Sequence, residues 1–206
     1  MPVEANVYKI LGSHDRIARR LYISAMKDTV MLDFYQNGNL RDYVATHGPE
    51  TLLTWTKQMI EAVEFIHSKG IRHSDVRLDQ WLLNSAMNAR LSDYNASGYD
   101  ANPALGLQQQ KALGNKCASH FMPRDPCEDN SIASDLFALG STLYPLVHGS
   151  TPFAGIDEEI ITARFALHRF LQVSDLRLGC LISGAWYGTF DSATRMLQFG
   201  GTACLL

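Results

Sequence analysis

The sequence predicts one mainly helical domain of the α+β class, and three observations support this. Apolar residues recur every three or four positions over residues 50–69 and 131–148, which predicts two long helices. Residues that favour strands occur only in short runs bounded by turn signals, as in small antiparallel pairs. A chain of 206 residues with 46% hydrophobic and 19% charged residues can bury a core, so disorder is excluded as its main state.

The first half of the chain begins with a short helix over residues 4–11, followed by two strand-like runs over 20–24 and 29–35. The second run ends in the turn sequence QNG at 36–38, so we expect a small antiparallel pair. The long helix over 50–69 comes next and ends at a glycine, which is typical of a helix C-terminus.

The second half opens with a hairpin of two short strands, over 81–83 and 89–91. Residues 93–130 show no periodicity, and a long segment of this kind inside a domain is usually a functional loop. The buried helix over 131–148 follows it. Three shorter helices are predicted after that, over 158–171, 178–186 and 192–197.

Composition excludes several classes of protein. With 18 Lys and Arg against 21 Asp and Glu, the net charge of -3 argues against binding to nucleic acid. No apolar stretch approaches the roughly 18 residues of a membrane span, and the N-terminus does not resemble a signal peptide. We therefore expect a cytoplasmic or nuclear protein that is not secreted and has no membrane partner. The four cysteines have no Cys-x-x-Cys spacing, so free thiols are predicted.

Three motifs stand in a fixed order around the two long helices. The segment IRHSDVRLDQWLL, residues 71–83, lies between the first long helix and a short strand. SDYN follows the hairpin at 92–95, and SDLFALG opens the last long helix at 134–140. Each motif alone is weak, but their joint order resembles eukaryotic protein kinases. There a catalytic loop H-R-D-x-x-x-x-N is followed by D-F-G and by a helix that opens with Asp.

The resemblance covers nearly the whole chain. Residues 4–11 are similar to the kinase helix called αC, and residues 30–40 are similar to the hinge between the kinase lobes. The Trp-Tyr-Gly sequence at 186–188 is similar to a pattern in divergent, N-terminally truncated kinase-like proteins of filamentous fungi. This implies a single protein kinase-like domain, mainly the helical C-lobe over 36–206, with a partial N-lobe of αC and hinge strands over 1–35.

The resemblance also implies catalytic residues. Asp75 matches the carboxylate that accepts or orients the proton of the substrate hydroxyl. Otherwise it would be a loop Asp that bonds its own backbone. Arg77 matches the basic residue that contacts the transferred phosphate, and its alternative is an ordinary solvated Arg. His73 and Asp135 match positions for which a structural role is expected, Asp135 as acceptor for the helix N-terminus.

The cofactors that the resemblance implies are ATP and Mg²⁺. Asp93 matches the main Mg²⁺ ligand, although it could be a simple turn residue. Gln80 stands where the family has Asn as a second metal ligand, and its extra methylene displaces the carbonyl oxygen. The hinge segment, which comprises Asp33, Phe34 and Tyr35, is implied to bind the nucleotide.

Departures from the family pattern lower the expected activity. The sequence contains no G-x-G-x-x-G loop and no strand lysine ahead of Glu4, so the phosphates of ATP would lose most of their donors. Asn95 replaces the Gly of D-F-G, Ser74 the Arg of H-R-D, and Arg124 the Glu of A-P-E. Asn tolerates a left-handed backbone better than most other non-glycine residues, so we expect that the loop at Asn95 can still turn, with less freedom.

Two functions from different classes remain open. One is ATP-dependent phosphorylation of Ser or Thr in a protein substrate, weak or lost in this chain. The other is a pseudokinase that acts as a protein-binding module. A truncated gene model or a degraded gene copy would also produce a sequence that lacks the glycine-rich loop and the strand lysine. The substrate or partner is not identified by the sequence, and we expect it to be a protein rather than nucleic acid.

Overall fold

The computed structural model describes residues 2–49, 51–114 and 117–203. Its helices are α1 (Pro2–Leu11), α2 (Leu40–His47), α3 (Leu52–Ser68), α4 (Ile132–His148), α5 (Glu158–Ala166), α6 (Gly179–Trp186) and α7 (Ala193–Ala203). Its strands are β1 (Arg20–Ile23), β2 (Val30–Leu32), β3 (Ile71–Arg72), β4 (Trp81–Leu83), β5 (Ala89–Leu91) and β6 (Gly98–Tyr99). Single 3₁₀ turns cover Leu78–Gln80, Pro103–Leu105 and Ala118–His120. The α+β arrangement expected from the sequence is confirmed.

The strands form three antiparallel pairs, β1 with β2, β3 with β6 and β4 with β5. In the β4–β5 hairpin Trp81 lies opposite Leu91, and a parallel bridge joins Leu91 to Ile17 in the segment before β1. The β3–β6 pair places Arg72 opposite Gly98. The loop that follows β3 therefore runs from one strand pair, β3–β6, to the next, β4–β5.

The core is built around α3 and α4. Trp55, Met59 and Ile66 of α3 and Leu139 and Leu143 of α4 are all fully buried. Burial of each such side chain stabilises the fold by about 1.5–3 kcal/mol. The two helices therefore form the support on which the loops carrying polar residues are held.

Helix α4 is well defined at both ends and packs closely against α6. Ser131 and Ser134 form a reciprocal capping box at its start, and Gly149 takes a left-handed φ of 84° at its end. Inside the helix, a Cβ at Gly140 would lie 2.7 Å from the Cβ of Ala185 in α6. A glycine is therefore required at this crossing.

Most predicted elements are confirmed with small shifts of their ends. The two long helices are α3 and α4, although residue 50 lies outside the described residues, and the hairpin strands are β4 and β5. The helix predicted over 158–171 is wrong beyond Ala166, because His168 takes a left-handed φ of 52° that no helix continues. The helix predicted over 192–197 is longer and ends at Ala203.

Helix α2 is not predicted by the sequence. Its start is fixed by Asn39, whose side-chain oxygen accepts the backbone N–H of Asp42 at 3.0 Å. Leu40 is its only fully buried residue, so there is no apolar periodicity to detect. The long aperiodic segment behaves as expected, with only β6 and two 3₁₀ turns among its described residues.

Two further expectations concern membranes and cysteines. In the part of the chain that the structure describes, no helix has the length and hydropathy of a membrane span. Cys117 and Cys127 are free, as expected. Cys180 is disulfide-bonded, so the prediction of free thiols is wrong at that position.

Candidate active site

The loop after β3 is anchored by one buried carboxylate of α4. Asp135 is fully buried, and its two oxygens accept the backbone N–H of His73 at 2.7 Å and of Ser74 at 3.0 Å. The Nε2 of His67 in α3 lies 3.2 Å from the same carboxylate. The structural role expected for Asp135 is supported, but it binds the loop, while Ser131 caps the helix.

The buried His73 ring connects this loop to the loop after β5. Its Nδ1 accepts the backbone N–H of Asp75 at 3.3 Å, and its Nε2 lies 3.0 Å from the carbonyl oxygen of Ser92. This pattern assigns the ring proton to Nε2, which donates to Ser92. Burial lowers the pKa of His73, and the nearby carboxylate of Asp135 only partly opposes this. His73 is therefore a neutral structural link rather than a proton carrier.

Both loops contain a non-glycine residue with a left-handed backbone. Ser74 has a φ of 69° and Asp93 has a φ of 59°. Such conformations are uncommon outside glycine and concentrate at functional sites. The loop does turn, and the left-handed backbone falls on Asp93 rather than on Asn95. The side-chain amide of Asn95 donates to Asp93 Oδ1 at 2.9 Å.

The structure brings Asp75, Arg77 and Gln80 into direct contact. Asp75 Oδ2 accepts a hydrogen bond from Gln80 Nε2 at 2.9 Å. Asp75 Oδ1 lies 3.2 Å from Arg77 Nε, close enough for an ion pair, but the two atoms do not have hydrogen-bond geometry. The side chains of Asp75 and Arg77 are 17% and 30% exposed, so a substrate can still reach them.

Asp93 is tied to the same group through its neighbour in the chain. The backbone N–H and the hydroxyl of Ser92 both donate to the carbonyl oxygen of Gln80 at 2.9 Å. Ser92 also accepts from His73, so it joins the two loops twice. The half-buried Asp93 is thereby held one residue from a firmly fixed backbone.

Helix α1 packs against the loop that carries Asp93. Burial raises the pKa of Glu4 in α1, the charge of Asp93 raises it further, and the backbone of Tyr94 opposes this. The fully buried Tyr94 ring packs edge-on against Tyr8 of α1, with the centroids 5.2 Å apart. Tyr94 also lies 5.1 Å from the ring of His73. Replacement of the family's Phe by Tyr thus keeps an aromatic anchor under Asp93.

The hinge segment forms hydrogen bonds of its own. Asp33 Oδ1 accepts the N–H of Phe34 at 3.0 Å, and the hydroxyl of Tyr35 accepts the N–H of Arg19 at 2.8 Å. The Phe34 side chain is 87% exposed. Among the described residues, no hydrogen bond or ion pair joins the hinge segment to Asp75.

Two residues of this network were not singled out in the sequence. Asp79 Oδ2 lies 3.3 Å from the NH2 of Arg77 and 3.0 Å from the NH2 of Arg41 in α2. Asp79 therefore links the candidate catalytic loop to a helix that the sequence did not reveal. The only signal for Asp79 in the sequence is its position within the motif of residues 71–83.

The described residues do not form a metal site on their own. Within residues 2–49, 51–114 and 117–203 there is no group of three or more His, Cys, Asp or Glu that could hold a metal. Proteins commonly hold Mg²⁺ with one or two carboxylates together with the phosphates of a nucleotide. Asp93 offers one carboxylate and Gln80 one amide oxygen, which are donor types that Mg²⁺ accepts but are too few for an independent metal site.

Comparison with known proteins gives a consistent match. The family model described as "Protein kinase domain" matches residues 1–181. CBL-interacting protein kinase 31 of Oryza sativa subsp. japonica is 27% identical over 198 residues, which is 91% of this chain and 38% of that protein. 3-phosphoinositide-dependent protein kinase 1 of Homo sapiens is 30% identical over 152 residues, 69% of this chain and 26% of that protein.

A third relative shows the same relation between the lengths. Serine/threonine-protein kinase SIK2 of Gallus gallus is 26% identical over 183 residues, 82% of this chain and 22% of that protein. The chain therefore spans well under half the length of the curated relatives that it matches.

Proposed function

Because the chain belongs to the protein kinase domain family, we propose that it carries the catalytic-loop side of a Ser/Thr phosphotransferase. The observation that supports this best is the shared anchoring of Asp75 and Asp93 through His73, Ser92 and Gln80. One residue acts on the acceptor and the other on the nucleotide, so a fixed distance between them favours transfer.

The proposed reaction moves the γ-phosphoryl group of ATP to a Ser or Thr hydroxyl of a protein. The hydroxyl oxygen forms a bond to the γ-phosphorus, the bond from that phosphorus to the bridging oxygen breaks, and ADP leaves. Asp75 accepts or orients the hydroxyl proton, and Arg77 contacts the transferred phosphate. Asp93 and Gln80 would hold the Mg²⁺ that neutralises phosphate charge. The hinge segment, residues 33–35, is proposed to contact the nucleotide base.

A second candidate function, a binding module with little catalysis, is favoured by one specific contact. The amide of Gln80 donates to Asp75 Oδ2, an oxygen that would otherwise accept from the substrate hydroxyl. We therefore propose that phosphotransfer by this chain is weak and that a pseudokinase role is its alternative.

The remaining proposals concern partners, origin and compartment. We propose that the substrate or partner is a protein, with no role for nucleic acid or membrane, in the cytoplasm or nucleus. The fungal origin suggested by the Trp-Tyr-Gly sequence at 186–188 stays a prediction. So do the truncation of the N-lobe and the division of the domain at residue 36.

Calorimetric titration with ATP tests the nucleotide part of the proposal. The wild-type chain should bind ATP weakly, and Mg²⁺ should strengthen binding because Asp93 contributes a ligand. Gln80→Asn should strengthen the Mg²⁺-dependent part further, because the shorter amide releases Asp75 and matches the ligand used by the family. Gln108 is exposed, so Gln108→Asn serves as a control and should leave ATP binding unchanged. Tight binding that is indifferent to both Mg²⁺ and Gln80→Asn would contradict the assigned roles.

A further inference from the structure

A groove of about 610 Å³ adjoins the candidate catalytic loop. It lies between the C-terminal parts of α2 and α4, and Arg77 and Leu78 form the end nearest to Asp75. This volume lies in the range of binding pockets in proteins. An occupant of the groove would therefore contact one of the residues proposed to act on the phosphate.

The walls of the groove combine apolar surface with positive charge. Val44 and Ala45 of α2 face the groove on one side, and Pro145 and Leu146 of α4 on another. The ionisable side chains in the described lining are Arg41, Arg77, His120 and His148, and none is an Asp or Glu. The groove thus offers an occupant cationic groups and apolar contacts.

Arg41 has the capacity to bind a second carboxylate. Its side chain is 52% exposed, and its NH2 contacts Asp79, whose Oδ1 is buried and which does not line the groove. A guanidinium has five N–H donors, so the contact with Asp79 leaves others for a carboxylate in the groove. Arg77 is already paired with Asp75 and Asp79, so the half-exposed Arg41 is the cation with donors left for an occupant, and a basic occupant would find no carboxylate in the described lining.

We propose that this groove binds an extended protein segment in which acidic residues alternate with apolar ones. An Asp or Glu of the segment contacts Arg41, and an apolar side chain packs between the half-buried Val44 and Pro145. The inference rests on the proposed function only in identifying the bound segment as a substrate, because binding itself requires neither ATP nor transfer. It thus assigns a substrate class, acidic segments, to the proposed site.

Fluorescence anisotropy tests the inference without ATP. The probe is a labelled peptide in which a central Ser is flanked on both sides by Asp and Leu, and its counterpart has Lys in place of every Asp. The acidic peptide should bind, and the Lys peptide should bind at least about tenfold more weakly. Arg41→Glu should weaken binding of the acidic peptide by about tenfold or more, since it places like charges together.

Two further variants separate the groove from the rest of the surface. Ala45 is exposed on α2, so Ala45→Trp should fill the groove without disturbing the core and should weaken binding to a similar extent. Exposed Arg169 lies outside the lining, and Arg169→Glu should leave affinity within about twofold. Thermal melts establish that each variant is folded.

Each outcome decides the inference separately from the phosphotransfer proposal. Equal binding of the Lys peptide, or unchanged binding to both folded groove variants, would overturn it. Failure of the acidic peptide to bind would also overturn it. Selective binding by a chain that transfers no phosphate would support the groove while refuting the proposed function.

Discussion

At the scale of single residues, two carboxylates near the same loop have different tasks. Asp135 is fully buried and accepts two backbone N–H groups of the loop, so its charge is used to hold structure. Asp75 is partly exposed and contacts two side chains, Gln80 and Arg77, instead of accepting backbone N–H groups. Burial and the type of donor therefore distinguish the structural carboxylate from the one that is available for chemistry.

This difference predicts opposite effects on stability. Asp135→Ala should lower the free energy of unfolding by several kcal/mol, because each buried donor left without an acceptor costs about 1–3 kcal/mol. Asp75→Asn should lower it by no more than about 1 kcal/mol, as for a partly exposed ion pair. Urea unfolding of both variants measures the two changes. A larger loss in Asp75→Asn than in Asp135→Ala would show that the roles are reversed.

The sequence revealed some of these residues and concealed others. Asp75 and Asp93 could be found because each stands in a short motif whose order matches a family. The link from Arg41 to Asp79 could not, since it joins an undetected helix to a loop. The left-handed φ of Asp93 could not be predicted either, because Asp has no intrinsic preference for that conformation comparable to that of Gly.

At the scale of elements, apolar periodicity was a reliable guide only where a helix buries a broad face. Helices α3 and α4 have nearly the predicted ends, because their apolar positions point into one core. Helix α2 has one fully buried residue and owes its start to the cap at Asn39, so no periodic signal marks it. Since α2 forms one wall of the groove, the sequence alone could not predict that groove.

The crossing of α4 and α6 gives a prediction at this scale. Gly140→Val should lower the free energy of unfolding by about 1–3 kcal/mol or more, because its Cβ would meet the Cβ of Ala185 at 2.7 Å. Gly201 lies in α7, where no atom would come within 4 Å of an added Cβ. Gly201→Val is therefore a matched control and should stay within about 0.5 kcal/mol of wild type. Thermal or urea unfolding that shows equal effects at both positions would exclude close packing at this crossing.

At the scale of the whole molecule, charge is distributed unevenly. The chain has a net charge of -3, yet the described lining of the groove carries only cationic and neutral side chains. The net charge of the whole chain therefore could not reveal a local group of cationic side chains. The position of the groove beside Arg77 connects this charge pattern to the proposed transfer of phosphate.

The central claim is that the face formed by Asp75, Arg77, Gln80 and Asp93 carries phosphotransfer, and its most direct test is a transfer assay with radiolabelled ATP, Mg²⁺ and casein as an acidic acceptor protein. Wild type should give weak incorporation above a blank without protein. Asp75→Asn should abolish incorporation while remaining folded, whereas Asp15→Asn, at an exposed position outside the site, should retain it. Incorporation that survives Asp75→Asn, or a wild-type chain that gives none, would contradict the account.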